Sequence, residues 1–269
     1  MGSAGPASDV LDRYARRLGV RRPLTPDAEA LADLHAAHMR AVPFENASVR
    51  FGERIAMDPD AFIDKLAIQG RGGFCYELNG AFAALLEDAG YQVDYLEARV
   101  YGEGGRLGEP FEHLALRVTL DRPWLVDVGF GYSFARPLAL DEAGEQRDPM
   151  GAFRLVPADD GLDLEWRHRD GRWVPHYRVT LTARTLEAFA PMCAQLQVDP
   201  ASPFVQDWLC SRIDGAGGVT LFGRRFVDTR GPERIDREVD DGEIATLLAA
   251  HFGVAARFDD GRWRSAAPR

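Results

Sequence analysis

Arg71-Gly72-Gly73-Phe74-Cys75-Tyr76-Glu77-Leu78-Asn79-Gly80 decides the reading of this chain, because a glycine-bearing turn runs directly into the apolar pattern Ala81-Phe82-Ala83-Ala84-Leu85-Leu86. A periodic run opened in this way predicts a helix that starts at Cys75 and ends near Gly90. A thiol at a helix N-terminus feels the positive end of the backbone dipole, which favours the thiolate, so Cys75 is a candidate nucleophile. Downstream lie His113, in Phe111-Glu112-His113-Leu114-Ala115-Leu116, and Asp127, in Trp124-Leu125-Val126-Asp127-Val128-Gly129-Phe130-Gly131. A thiol, an imidazole to take its proton and a carboxylate to orient that imidazole are the parts of a nucleophilic acyl-transfer site.

The dipole alone is a small force. It stabilises a charge by roughly 0.3–1 kcal/mol, at most about 2, and one pKa unit is worth about 1.4 kcal/mol. A free thiol near 8.5 therefore stays mostly protonated at neutral pH, and pairing with a protonated histidine is the way to ionise it. His113 is the best candidate, although a lone histidine among apolar strand residues also fits a core position. Asp127 is harder to explain blandly. A carboxylate inside so apolar a run is expected to be at least half buried, and without a partner that costs several kcal/mol.

Ahead of the cysteine the chain reads as helices. Val10, Leu11, Tyr14 and Leu18 share one face; Thr25-Pro26 predicts the N-cap and first position of a helix to about Arg40, and Asp58-Pro59 does the same for a helix over 61–68. After Val93 the period changes, and 95–101, 113–120 and 124–130 read as strands. Asp170-Gly171 reads as a two-residue turn within a hairpin over 165–174. Further on, helices are expected at 186–196, from Ser202-Pro203 and over 243–252, with strands at 219–222 and 225–227. The fold class is α+β: an N-terminal helical bundle (1–90) carrying the nucleophile, a central antiparallel β-barrel or sheet (91–183) carrying His113 and Asp127, and a C-terminal α/β lid (184–269). The candidate site falls where the first two blocks meet, in the kind of crevice that supplies a concave pocket.

The 269 residues are 46% hydrophobic and 28% charged, a globular composition with little room for long disorder. The net charge of −10, with no Lys/Arg run interleaved with aromatics, argues against nucleic acid as a partner. Lys65 is the only lysine, so phosphate would be held by arginines or backbone N–H groups. Cys75, Cys193 and Cys210 form no CxxC pair and are odd in number, which fits a reducing interior; Cys193 and Cys210 read as inert small hydrophobes. Met1–Ser8 lacks the basic and apolar regions of a signal peptide, and no apolar run reaches membrane-spanning length. A cytoplasmic protein with no membrane partner is expected, with the oligomeric state open and a homodimer among the options. His35 and His38 share a helical face at i, i+3 and read as solvated; no metal site is expected. The glycine-rich stretch 102–108 fails the GxGxxG register at Leu107 and reads as a flexible loop.

The segment around Cys75, followed by His113 and by Trp-Leu-Val-Asp-Val-Gly-Phe-Gly, resembles the arylamine N-acetyltransferase family. Val42-Pro43-Phe44-Glu45-Asn46, Ser202-Pro203-Phe204, Gly218-Val219-Thr220-Leu221 and Ala250-His251-Phe252-Gly253 resemble further family segments, so the likeness runs over about 10–254. It implies a papain-like cysteine transferase architecture and a ping-pong reaction: Cys75 takes an acetyl group from coenzyme A and delivers it to an aromatic amine, hydrazine or hydroxylamine. His113 would be the base and Asp127 its orienter. The resemblance also implies that Phe130 and Phe204 line the acceptor pocket and that the backbone at Gly129 and Gly131 approaches the coenzyme. Acetyl-CoA enters as a co-substrate, with no permanently bound cofactor. Glu112 departs from the small or hydroxylated residue many members carry there, and sets a negative charge beside the cleft. An amide synthase that receives a polyketide chain from a carrier protein shares this scaffold and stays open. A papain-like hydrolase or transglutaminase shares the residue order, but Cys-Gly-[Ser/Ala]-Cys is absent and the histidine follows too soon for the papain branch.

Overall fold

The computed structural model describes residues 6–266 apart from Pro23, Ala216 and Pro232. Met1–Gly5, on which part of the leader expectation rests, lie outside the described residues. The chain opens with α1 (Pro6–Leu18), α2 (Ala28–Ala41), a two-residue strand β1 (Phe44–Glu45), α3 (Ala47–Phe51), α4 (Pro59–Ala67) and α5 (Cys75–Asp88). Tyr14 and Leu18 of α1, Leu31 and Leu34 of α2, Phe62 and Leu66 of α4, and Phe82 and Leu86 of α5 turn into one core, as a 3.6-residue apolar period requires.

Eight strands follow: β2 (Gln92–Val100), β3 (His113–Thr119), β4 (Pro123–Val126), β5 (Leu138–Ala139), β6 (Glu145–Asp148), β7 (Gly151–Ala158), β8 (Gly161–Arg167) and β9 (Trp173–Arg184). They form one sheet in the order β5-β4-β3-β2-β9-β8-β7-β6, antiparallel at every pairing, which curls into a nearly closed barrel. Leu96, Leu116, Val126 and Leu164 from this sheet share the core of the helices.

A single 3₁₀ turn (Leu186–Phe189) then leads into α6 (Ala190–Val198) and α7 (Pro203–Gln206), followed by β10 (Leu209–Asp214), β11 (Gly217–Phe222), β12 (Arg225–Arg230), β13 (Glu233–Glu238), α8 (Asp241–Phe252), β14 (Ala256–Asp259) and β15 (Arg262–Ser265). β1 joins this last block as the edge of a sheet ordered β1-β10-β11-β12-β13, with Phe44 opposite Ser211 and Glu45 opposite Cys210. Trp208, Phe226, Leu248, Phe252 and Trp263 build a second, smaller core there. Among the described residues no helix is long and apolar enough to cross a membrane.

Several local expectations need correction. Asp27, not Thr25, caps α2: its carboxylate accepts from Ala30 N at 2.8 Å, while the Thr25 carbonyl takes a hydrogen bond from the Tyr91 hydroxyl. The Asp170-Gly171 connection is a five-residue loop, not a two-residue turn: the last pair is Arg167 with Trp173, and His168 N–H donates to Arg172 O at 2.8 Å. Asp170 folds back to accept from Arg172 N at 3.0 Å, and this local bond competes with the tight turn. The strand over 124–130 stops at Val126, so Asp127 leaves the barrel edge. Its carboxylate accepts from Gly129 N at 2.9 Å, the Asx-type bond that turns a chain out of a sheet. The helical reading of the first 90 residues missed β1, and the solvated reading of His35 and His38 fails outright, since both are fully buried.

Candidate active site

The turn ahead of Cys75 is tightly packed. A Cβ on Gly72 would come within 2.0 Å of Pro43 O, and one on Gly73 within 2.7 Å of the Glu77 carboxylate, so only glycine fits at either position. Phe74 holds extended backbone at the N-cap and has no acceptor to offer; Glu77 supplies the other half of a capping box by accepting from Phe74 N at 3.2 Å. The second oxygen of that carboxylate takes Lys65 Nζ at 2.7 Å, with both side chains almost wholly buried. Burial pushes the Glu77 carboxyl above its ordinary value, and the lysine offsets only part of that. Beside it Arg71 Nε donates to Glu45 at 3.0 Å, and Glu45 accepts from Ala47 N at 2.6 Å. The chain's one lysine thus supports the helix start from within. Lys65→Met is expected to lower the unfolding free energy by about 3–5 kcal/mol, because it strands a buried carboxylate; urea denaturation reads this, and adding Glu77→Leu should recover much of the loss.

His113, the first residue of β3, and Asp127, just past β4, meet in the core. A carboxylate only accepts, so His113 donates through Nε2 to Asp127 Oδ2 at 2.7 Å, leaving Nδ1 free to take a proton. Asn79, one turn along α5 from Cys75, donates to Asp127 Oδ1 at 2.9 Å and to Leu114 O at 2.6 Å, and its own oxygen accepts from Val128 N at 2.9 Å. Burial works against the Asp127 charge, but the imidazole, the Asn79 amide and Gly129 N–H outweigh it and hold the carboxyl below its usual range. Tyr76 donates its hydroxyl to Phe111 O at 2.7 Å, and Phe111 sits at φ +66°, a strained setting for a non-glycine residue that fixes the chain two residues before His113. Cys75 is 2% exposed, and burial pushes its thiol up. That reverses the direction expected from the dipole, because desolvation is the larger effect.

Cys75 and His113 line a cavity of about 730 Å³, walled largely by apolar side chains such as Phe44, Val100, Phe130, Leu196, Phe204 and Phe222. Phe130 meets the His113 ring edge-on at 5.2 Å and stacks on His176 at 5.1 Å; burial pushes that histidine down to about 4, so it backs the wall as a neutral ring. Phe204 packs against Phe74 at 5.6 Å. Gly129 is on the cavity wall, where a Cβ would come within 2.8 Å of the Cys75 Cα. Gly131 is not among the lining residues; a Cβ there would meet the Ser211 hydroxyl at 2.5 Å. Arg106, Glu109 and Glu112 bring the charge to the wall, and the Glu112 carboxylate lies so close to Gly108 that a Cβ there would meet it at 1.8 Å. Asn79, Lys65, Glu77 and His176 were not picked out from the sequence; Glu77, at capping-box spacing from the N-cap, carried the one readable signal.

Helices that present a cysteine to a barrel holding a histidine and an aspartate make up the papain-like fold. The chain belongs to the arylamine N-acetyltransferase family: the family model described as N-acetyltransferase matches residues 27–260. It is 37% identical to the arylamine N-acetyltransferase / N-hydroxyarylamine O-acetyltransferase of Salmonella typhimurium, over 92% of this chain and 89% of that one. It is 30% identical to the proansamycin X synthase of Amycolatopsis mediterranei, over 89% and 95%. The solved structure of Mycobacterium marinum arylamine N-acetyltransferase in complex with CoA superposes with a TM-score of 0.84 at 28% identity, over 90% of this chain and 92% of that one.

Proposed function

We propose that this protein transfers acetyl groups from acetyl-CoA to arylamines, hydrazines or hydroxylamines through an acetyl-Cys75 intermediate. The observation that carries the reading is that His113, bonded to the buried Asp127 at 2.7 Å, lines the same largely apolar cavity as Cys75. In the first half-reaction His113 Nδ1 takes the thiol proton and Cys75 Sγ attacks the thioester carbonyl; the C–S bond to coenzyme A breaks and the leaving thiolate recovers the proton. In the second the amine nitrogen attacks the acetyl-cysteine carbonyl, His113 takes the amine proton and Cys75 leaves as the thiolate. Asp127 orients the ring and compensates its charge in both halves.

The cavity chemistry supports a flat apolar acceptor. Phe130 and Phe204 stand on its wall, and each aromatic contact adds about 0.5–1.5 kcal/mol beyond area burial. Phe130→Ala is expected to raise the arylamine KM by roughly tenfold, on the scale of that contact plus lost burial, while moving the acetyl-CoA KM much less. Steady-state kinetics with both substrates varied reads the difference, and equal shifts in the two would remove Phe130 from the acceptor wall. Gly129 and Gly131 are proposed to approach the coenzyme as backbone only.

The likeness to proansamycin X synthase supports a second reading, an amide synthase fed by a carrier protein. Such carriers are acidic, and docking one needs unpaired arginines near the cavity mouth. Arg106 is the arginine on the wall, and it stands beside Glu109 and Glu112. With two carboxylates to one arginine, the charge on that wall favours the small-molecule donor over an acidic carrier. Turnover of carrier-bound acyl groups, with no turnover of small amines and acetyl-CoA at millimolar concentration, would reverse the choice.

A further inference from the structure

The segment that carries Asp127 and Phe130 has no helix or strand of its own between β4 and β5, yet both of its ends meet one side chain of α2. His35 Nδ1 lies 2.9 Å from Ala135 O, and Nε2 lies 3.3 Å from Asp127 N and 3.1 Å from Asp127 O. A neutral imidazole has one donor and one acceptor. A carbonyl only accepts, so Nδ1 carries the proton and donates to Ala135 O, and the Nε2 lone pair takes Asp127 N–H. The opposite tautomer would let Nε2 donate to Asp127 O at 3.1 Å, but it would set a lone pair against Ala135 O at 2.9 Å and leave the buried Asp127 N–H without an acceptor, which is costly. Phe134 stacks on the ring at 5.5 Å and Phe82 meets its edge at 6.3 Å, so the imidazole cannot swing away. Burial lowers the pKa of His35, with Asp127 and Asp148 offsetting only part of the shift, consistent with the neutral ring that this bonding needs.

We propose that His35 is a positioning residue of the active site, a staple that ties both ends of residues 127–135 to α2 and so sets Asp127 against His113 and Phe130 on the cavity wall. The assignment rests on the acetyltransferase reading but makes a separate demand. A core residue of the same size would only hold the fold together; this staple must also set reaction geometry, where a displacement of about 1 Å costs on the order of 100-fold in rate.

Two variants and one spectrum test it. Glutamine offers an N–H donor group and a separate acceptor oxygen, as the neutral imidazole offers one nitrogen of each kind, whereas leucine fills the space and offers neither. His35→Leu is expected to slow acetylation of Cys75 by acetyl-CoA by about 30- to 100-fold and to raise the arylamine KM, while His35→Gln stays within about threefold of the parent protein. Leu34→Ala, which thins the packing of the same helix but removes no hydrogen bond to residues 127–135, should lower the melting temperature and leave acetylation per folded molecule unchanged. Nitrogen-15 spectra of the intact protein should show His35 protonated at Nδ1 and bare at Nε2. A parent protein that acquires no acetyl group overturns the acetyltransferase reading itself, before any variant is compared. A parent that is acetylated alongside an equally fast His35→Leu, or an Nε2-protonated ring, overturns the staple. If His35→Leu does not fold, a folded His35→Gln that has lost its rate overturns it as well.

Discussion

Acetyl-CoA added without an acceptor is expected to leave one acetyl group on Cys75 and none on Cys193 or Cys210, as read by mass spectrometry of the intact protein and its peptides. All three thiols are free and buried, so burial alone does not separate them. Their surroundings do. Cys75 opens onto the cavity beside His113, whereas Cys193 and Cys210 are not on its wall. Burial pushes all three thiols up, so what singles out Cys75 is its place on the cavity wall that His113 also lines. Cys75→Ala is expected to remove the adduct and to lower turnover by roughly 10⁴- to 10⁶-fold, the range seen when a nucleophile that acts as part of a unit is deleted. An adduct on either other cysteine, or acetylation that survives the substitution, would overturn the assignment.

What the sequence made legible about this site was local. Cys75 could be placed because a helix start is written in the residues on either side of it, and Asp127 because a charge in an apolar run stands out. The support for both was not legible. His35 bonds Ala135, 100 positions away, and at i, i+3 with His38 it looks like any solvated face. Nothing near Lys65 indicates that it pairs with Glu77 under the nucleophile. Gly72 and Gly73 mark a turn in the sequence, but the close packing that excludes a side chain at either position comes from Pro43 and Glu77 and is not written beside them. β13 escaped notice for a different reason: Glu233–Glu238 is exposed at every position, so it has no buried face to impose the period-two pattern by which strands are recognised. The thiol shows the same limit in energetic form. Helix polarity can be read from sequence, but the depth of burial, which here outweighs it, comes only from long-range packing.

Asp127→Asn is expected to lower kcat/KM for acetylation by about 10⁴-fold, through a flip in proton direction at His113. Oδ1 of the native carboxylate receives Asn79 Nδ2 and Gly129 N–H, and Oδ2 receives His113 Nε2–H. In the variant the single carbonyl oxygen must stay with the two donors at the Oδ1 site. Its NH₂ group then faces His113 and forces Nε2 to become an acceptor, so the ring's proton moves to Nδ1, the nitrogen needed to accept the thiol proton. The parent carboxyl is held below its usual value, so it stays ionised throughout the neutral range and supports an imidazolium there. Burial pushes the Cys75 thiol up, so Cys75 ionises at neutral pH only where pairing with that imidazolium outweighs desolvation. Alkylation of Cys75 by iodoacetamide should therefore titrate well below 8.5 in the parent protein. In Asp127→Asn and in His113→Ala it should titrate above that value, since desolvation then acts unopposed. A parent thiol that titrates at its ordinary value, unmoved by His113→Ala, would sink the ion-pair account and leave Cys75 an ordinary buried cysteine.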